Sequence, residues 1–192
     1  MNRHNTPRIS FIGFGEAGQA IAAGLRESGI EQIAAWDILF PKAEGAKLKS
    51  AGEKADVRLA TSPADAVANS DIVISAVTAA SNLDAAKSVE PHLSGNPYYL
   101  DINSVSPGRK QETARLLDGK ARYVDVAVIA PIHPKRHQTP LLIAGPHADT
   151  DWAERLSEVE TTYVALAAAV TRFQSLIIVV ADLSLRALAV PL

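Results

Sequence analysis

FIGFGEAGQA, residues 11–20, sets glycines at positions 13, 15 and 18 directly after the apolar run Ile9 to Ile12. Two readings are open, a seat for a dinucleotide or a tight turn between a strand and a helix, and the order strand, G-x-G-x-x-G, helix favours the first. Gly13 permits a sharp exit from the strand. Gly15 lets the backbone approach a pyrophosphate with no Cβ in the way, and Gly18 lets helix and strand pack closely. The amides opening the helix then present partial positive charge to a phosphate. The helix itself is marked by Ala17, Ala20, Ile21, Gly24 and Leu25 at helical spacing, with Glu16, Gln19, Arg26 and Glu27 facing away and Gly29 as its C′ residue.

The second half of such a fingerprint is an acid closing the next strand, about 20 residues on. Asp37 closes IAAW (33–36). A carboxylate there accepts from both ribose hydroxyls and repels a 2′-phosphate, and Ile38, Leu39 and Phe40 supply no arginine to welcome one, so NAD is favoured over NADP. The alternatives are Asp37 as a helix N-cap, and a nucleoside ligand such as S-adenosylmethionine, since methyltransferases also place an acid after a glycine-rich turn.

Apolar runs recur at Ile9–Ile12, Ile33–Trp36, Ile72–Val77, Tyr98–Ile102 and Tyr123–Ile129, separated by helical patterns at Ala46–Ala51 and Ala79–Val89. Ser62-Pro63-Ala64-Asp65 and Ser106-Pro107 mark two further helix starts. This alternation predicts an α/β fold of the Rossmann type, doubly wound around a mostly parallel sheet. The predicted division is a nucleotide-binding domain over residues 1–157 and an apolar tail over residues 158–192, in which only Arg172, Asp182 and Arg186 are charged from Thr161 onward. No run in it reaches the roughly 18 apolar residues of a membrane span. The tail is expected to be buried against its own domain or another chain.

Nineteen basic against 21 acidic residues leave a net charge of −2 with no basic stripe, which argues against a nucleic-acid partner. The absence of cysteine removes disulfides, thiolate metal sites and thiol nucleophiles together. The polar leader MNRHNTPR is unlike a secretory segment, so the chain reads as cytoplasmic.

Taken with AVTAAS (76–81), DINSVSPG (101–108), YVDVAVIAP (123–131) and LLIAG (141–145), the glycine segment resembles the cofactor domain of the β-hydroxyacid dehydrogenases related to 6-phosphogluconate dehydrogenase, over about residues 8–157. The resemblance implies that Gly13, Phe14, Gly15, Glu16 and Ala17 wrap the pyrophosphate, Asp37 holds the adenosine ribose, and Val77 with Thr78 lies on the nicotinamide side, with Gly18 and Asn103 also among the cofactor-binding residues. It puts Ser104 on the substrate carboxylate, whereas Ser106 reads better as a helix cap before Pro107. The implied activity is hydride transfer between a nicotinamide and a small hydroxy acid, in a protein able to form a homodimer.

The sequence departs from that pattern in two places. Ala130-Pro131 stands where the family shows a glycine pair. The family's proton-transfer lysine lies beyond the cofactor domain, yet Lys135 is the last lysine here, and Arg172 and Arg186 do not release a proton near neutral pH. A rate loss of roughly two to four orders of magnitude is expected from that, and the chain reads as a truncated dehydrogenase with its catalytic residues unassigned. The alternative function is a non-catalytic nucleotide-binding module that docks on a partner or on itself. His133 and His137 in IHPKRHQTP (132–140) read as a solvated loop rather than a metal site, Lys135 and Arg136 as surface charges or as a greeting for an anionic substrate, and Trp36 and Trp152 as packing residues.

Overall fold

The computed structural model describes residues 7–147, 164–165 and 177–180. Its centre is a twisted sheet in the order β3-β2-β1-β4-β5-β6-β7-β9-β8. The first six strands run parallel: β1 (Ile9–Ile12), β2 (Ile33–Trp36), β3 (Arg58–Leu59), β4 (Ile72–Ser75), β5 (Tyr98–Asp101) and β6 (Arg122–Val128). β7 (Leu141–Ala144) returns antiparallel to β6. Two short strands, β8 (Val164–Ala165) and β9 (Ile177–Val180), add antiparallel pairing beyond it. The rest of the expected tail lies outside the described residues.

Buried strands covered on both faces explain the unbroken apolar runs. On one face α1 (Glu16–Glu27) and α2 (Ala46–Lys54) cover Phe11, Ile33, Ile72, Leu100 and Val126. On the other, α3 (Pro63–Val67), α4 (Asn82–Val89) and α5 (Pro107–Leu117) cover Val73, Tyr99 and Tyr123, with Val89 and Leu117 fully buried between. Two expectations shift. β3 went unread because its two residues carry no apolar run, Arg58 being exposed and Leu59 half-buried. The segment expected as a helix from Ala79 opens as a 3-10 turn over Ala79–Ser81, and α4 proper begins at Asn82.

The helix boundaries follow from their caps. α1 ends in paired bonds in which the Gly29 amide donates to the Arg26 carbonyl and the Ile30 amide to that of Leu25, with Gly29 at φ +91°. Its buried stripe includes Ala22, which the spacing left out, whereas Ile21 is only half-buried. Ser62 Oγ accepts from the Asp65 amide at 3.1 Å, and Ser106 Oγ from the Arg109 amide at 3.4 Å, so both serines cap as expected. Asp65 does not complete a capping box on Ser62; its carboxylate accepts from the Thr61 amide instead.

Candidate functional site

Four strand ends, Trp36, Ile12, Ser75 and Asp101 of β2, β1, β4 and β5, line up in register with Asp125 in the middle of β6. The loops leaving this row bound a cavity of about 620 Å³, lined by Gly13, Gly15, Trp36, Asp37, Ile38, Leu39, Pro63, Val77, Thr78 and Asp84 among others. It opens where α/β sheets of this type seat ligands, outside the carboxyl ends of the strands at the point where strand order reverses.

The three glycines divide the work. Gly13 sits at φ +90°, and a Cβ there would overlap the Ala76 carbonyl oxygen and lie 2.7 Å from Val77 Cγ1. A Cβ on Gly18 would come within 2.9 Å of the Gly13 carbonyl oxygen, so helix and turn touch there. At Gly15 an added Cβ meets nothing within 4 Å. Gly13 and Gly18 therefore make the turn, and Gly15 leaves open space at the N-terminus of α1, a helix that no side chain caps among the described residues.

Asp37 ties this turn to the next strand. One carboxylate oxygen accepts from the Phe14 amide at 2.8 Å and the other from the Leu39 amide at 2.9 Å. The expected ribose acid thus also closes a local turn rather than capping a helix, and each oxygen retains a further lone-pair site for a ribose hydroxyl. Phe14 lies differently from the expectation that it wraps a phosphate: its amide is held by Asp37, and its ring is fully buried, edge-to-face with Phe11 and Phe40. Glu16 is exposed and Ala17 half-buried in the first turn of α1. Trp36 does more than pack, since it stands edge-on to Phe40 and also lines the cavity.

The other end of the cleft is polar and closed. Asp101 is wholly buried. One of its carboxylate oxygens accepts from Asn82 Nδ2 and from the Tyr123 hydroxyl, each at 2.8 Å. The other accepts from Asn103 Nδ2 at 2.7 Å and from the Asn103 amide at 3.1 Å, with Lys110 Nζ 3.2 Å away. Burial, and then the negative charge of Asp101, push the Tyr123 phenol well above its ordinary range, which keeps it a donor. Thr113 Oγ1 donates to Asn82 Oδ1 and completes the net.

Asn103 therefore turns inward. Its Nδ2 also donates to Ser75 Oγ at 3.0 Å, and its Oδ1 accepts from the Val77 amide at 2.7 Å, so it holds the loop carrying Val77 and Thr78. Ser104, the next residue, is exposed and lines an open hollow with Ala79, Val105, Ser106 and Arg109. Sequence reasoning missed Lys110, Tyr123 and Asn82. The signal for Lys110 was present: Lys110, Thr113 and Leu117 are the buried residues of α5, at i, i+3 and i+7, an inward stripe that begins with a charge.

The loop of residues 132–140 is solvated only in part: His133, Lys135 and Gln138 are exposed, as expected, whereas Arg136 and His137 are half-buried. Arg136 forms a two-bond ion pair with Glu27 at 2.6 and 2.5 Å, and His137 Nε2 lies 2.8 Å from Ser28 Oγ. The His137 ring rests where a Cβ on Gly24 would overlap it. The loop thus docks on α1, with Arg136 engaged there. Among the described residues no group of three or more His, Asp or Glu side chains could hold a metal ion, and no helix is long and apolar enough to cross a membrane. Trp152 lies outside them.

A family model, the NAD binding domain of 6-phosphogluconate dehydrogenase, matches residues 8–164. A crystal structure of a conserved hypothetical protein from Sinorhizobium meliloti 1021 is 35% identical with a TM-score of 0.74, covering 82% of this chain and 52% of that one. The 3-hydroxyisobutyrate dehydrogenase of Mycobacterium tuberculosis with L-serine shares the fold at 20% identity and a TM-score of 0.68, over 80% of this chain and 50% of its own. An uncharacterized 28.5 kDa protein of Methanothermus fervidus is 36% identical over 128 residues, 67% of this chain and 47% of that protein. The chain spans about half the length of these relatives.

Proposed function

The chain belongs to the family of the NAD binding domain of 6-phosphogluconate dehydrogenase, and on that premise we propose that it binds NAD in preference to NADP as the cofactor half of a hydroxy-acid oxidoreductase. The observation that carries this reading is the empty space at Gly15, at the uncapped N-terminus of α1 and on the wall of the cavity that Asp37 also lines. A pyrophosphate there receives the first-turn amides of α1, and the adenosine ribose donates to Asp37. Among the described residues no arginine or lysine lines the cavity, so a 2′-phosphate would face Asp37 without a counter-charge from them. The bound nicotinamide supplies the hydride acceptor or donor. Val77 and Thr78 border its end of the cleft, and Ser104 offers a hydroxyl to a substrate carboxylate. Fluorescence titration with NADH and NADPH tests the reading: NADH is expected to bind about tenfold or more tightly than NADPH. Equal affinity removes the preference, and no response to either at millimolar concentration removes the function.

One observation favours a second reading. Among the described residues neither the cavity nor the hollow beside Ser104 is lined by a lysine or a histidine. Among the described residues the cleft thus supplies binding without an amine or imidazole to carry the hydroxyl proton, as in a nucleotide-binding module that acts with a partner or a second copy. Turnover of a hydroxy-acid panel by the chain alone favours the enzyme, and binding without turnover favours the module.

A further inference from the structure

We propose that Lys110 and Asp101 are positioning residues for the nicotinamide and substrate end of the cleft, acting through Asn103 on Val77. The proposal rests on the nucleotide reading above and adds to it the device that sets the distance between two loops. Hydride transfer needs its two carbons held at near-contact distance, so the loop bordering the nicotinamide and the loop bordering the substrate must keep one spacing. Residues 76–78 leave β4 and residues 102–106 leave β5. These loops are joined by the Val77 amide donating to Asn103 Oδ1 at 2.7 Å.

That link has one orientation. Asn103 Nδ2 faces the Asp101 carboxylate at 2.7 Å and Ser75 Oγ at 3.0 Å, while its Oδ1 faces an N–H. Rotating the carboxamide by half a turn would set an oxygen against a carboxylate and an NH₂ against an amide hydrogen, two repulsions in a buried site. The charge on Asp101 is what fixes the choice, and Lys110 is what keeps that charge in place. Its Nζ donates to the Asp101 carbonyl at 2.7 Å, lies 3.2 Å from the Asp101 carboxylate and reaches Asp125 at 2.8 Å. Because Lys110 stands on the first turns of α5 and Asp101 closes β5, their pairing also closes the base of the segment that carries Ser104.

Stability alone does not account for this pair. Lys110 is 7% and Asp101 0% exposed, and burying two charges loses hydration that well-packed apolar residues would not lose. What apolar residues could not supply is direction, the single orientation of Asn103.

The test separates the two halves of the cofactor. Calorimetric titration of the whole chain with NADH, and with ADP-ribose, which lacks the nicotinamide, is run on the wild type, Lys110→Met and Asn103→Ser. In both variants NADH affinity is expected to fall about tenfold while ADP-ribose affinity stays within about twofold, because only one end of the cleft is loosened. Asn103→Ser removes the link to Val77 together with the carboxamide's bonds to Asp101 and Ser75 but keeps the charge pair, so it carries the test if Lys110→Met does not fold. Equal loss for both ligands overturns the proposal as a general loosening, and so does no loss for either. A wild type that binds NADH no more tightly than ADP-ribose also overturns it. A wild type that binds neither sinks the nucleotide reading and this proposal together.

Discussion

β1 and β5 flank β4, and their carboxyl ends are finished in opposite ways. After β1 the chain makes room by leaving side chains out: Gly13 and Gly18 let backbone touch backbone, and Gly15 opens onto a cavity walled by Trp36, Ile38 and Leu39. After β5 it fills the space with a buried carboxylate, an ammonium, two carboxamides, a phenol and a hydroxyl, each hydrogen-bonded within the net. The first end is shaped by volume and the second by direction. A site that must accept a ligand can leave its surface unfilled, while a site that must aim one needs bonds with fixed geometry.

Substitutions sharpen the contrast. Gly13→Val, at φ +90° against the Ala76 carbonyl, should lose roughly 4 kcal/mol from strain and overlap together, read as a collapse of the denaturant midpoint. At the polar end Asp101→Leu takes from Lys110 one of its two carboxylate partners and leaves the Asn82 carboxamide, the Tyr123 hydroxyl and the Asn103 main-chain amide without their acceptor, at a cost of about 3 kcal/mol. Gly15→Val reverses the pattern: stability should change by less than about 1 kcal/mol, yet NADH binding should fall about a hundredfold, because the new side chain stands where the pyrophosphate would lie. A destabilised Gly15→Val protein, or one that binds NADH normally, would break the division of labour among the three glycines.

The smallest effect lies away from the cleft. Burial, followed by the charge of Arg136, lowers the His137 pKa below its ordinary 6.5. The unfolded ring therefore takes up a proton before the folded one, so this group's contribution is present above the ordinary value and is lost as pH falls through it toward the lower folded value. Melting temperatures of the wild type should decline between pH 7.5 and 5.5 more steeply than those of His137→Gln. Parallel slopes would mean that the docked loop carries no titrating contact.

Much of this was readable in one dimension. The strand–glycine–helix order gave the cleft its place, and Ser106 caps α5 as read because its spacing to Arg109 is local. Asp37 was legible as an acid after β2, but its bond to the Phe14 amide joins positions 23 apart and depends on β1 and β2 lying side by side. The docking of residues 136–137 on α1 was hidden for the same reason, since a basic, proline-rich loop has no pattern that names the helix it will meet.

By itself the sequence determined the alternation of buried strands and capped helices, and with it the glycine turn, because those depend on periods of a few residues and on side chains that act on their own backbone. Only the tertiary structure decided where Lys110 points, that Asn103 faces inward while Ser104 faces out, and that Gly15, unlike Gly13 and Gly18 in the same turn, borders open space. Those outcomes are set by which strand ends are neighbours in the sheet, and hydrogen bonds between distant segments form once that neighbourhood exists.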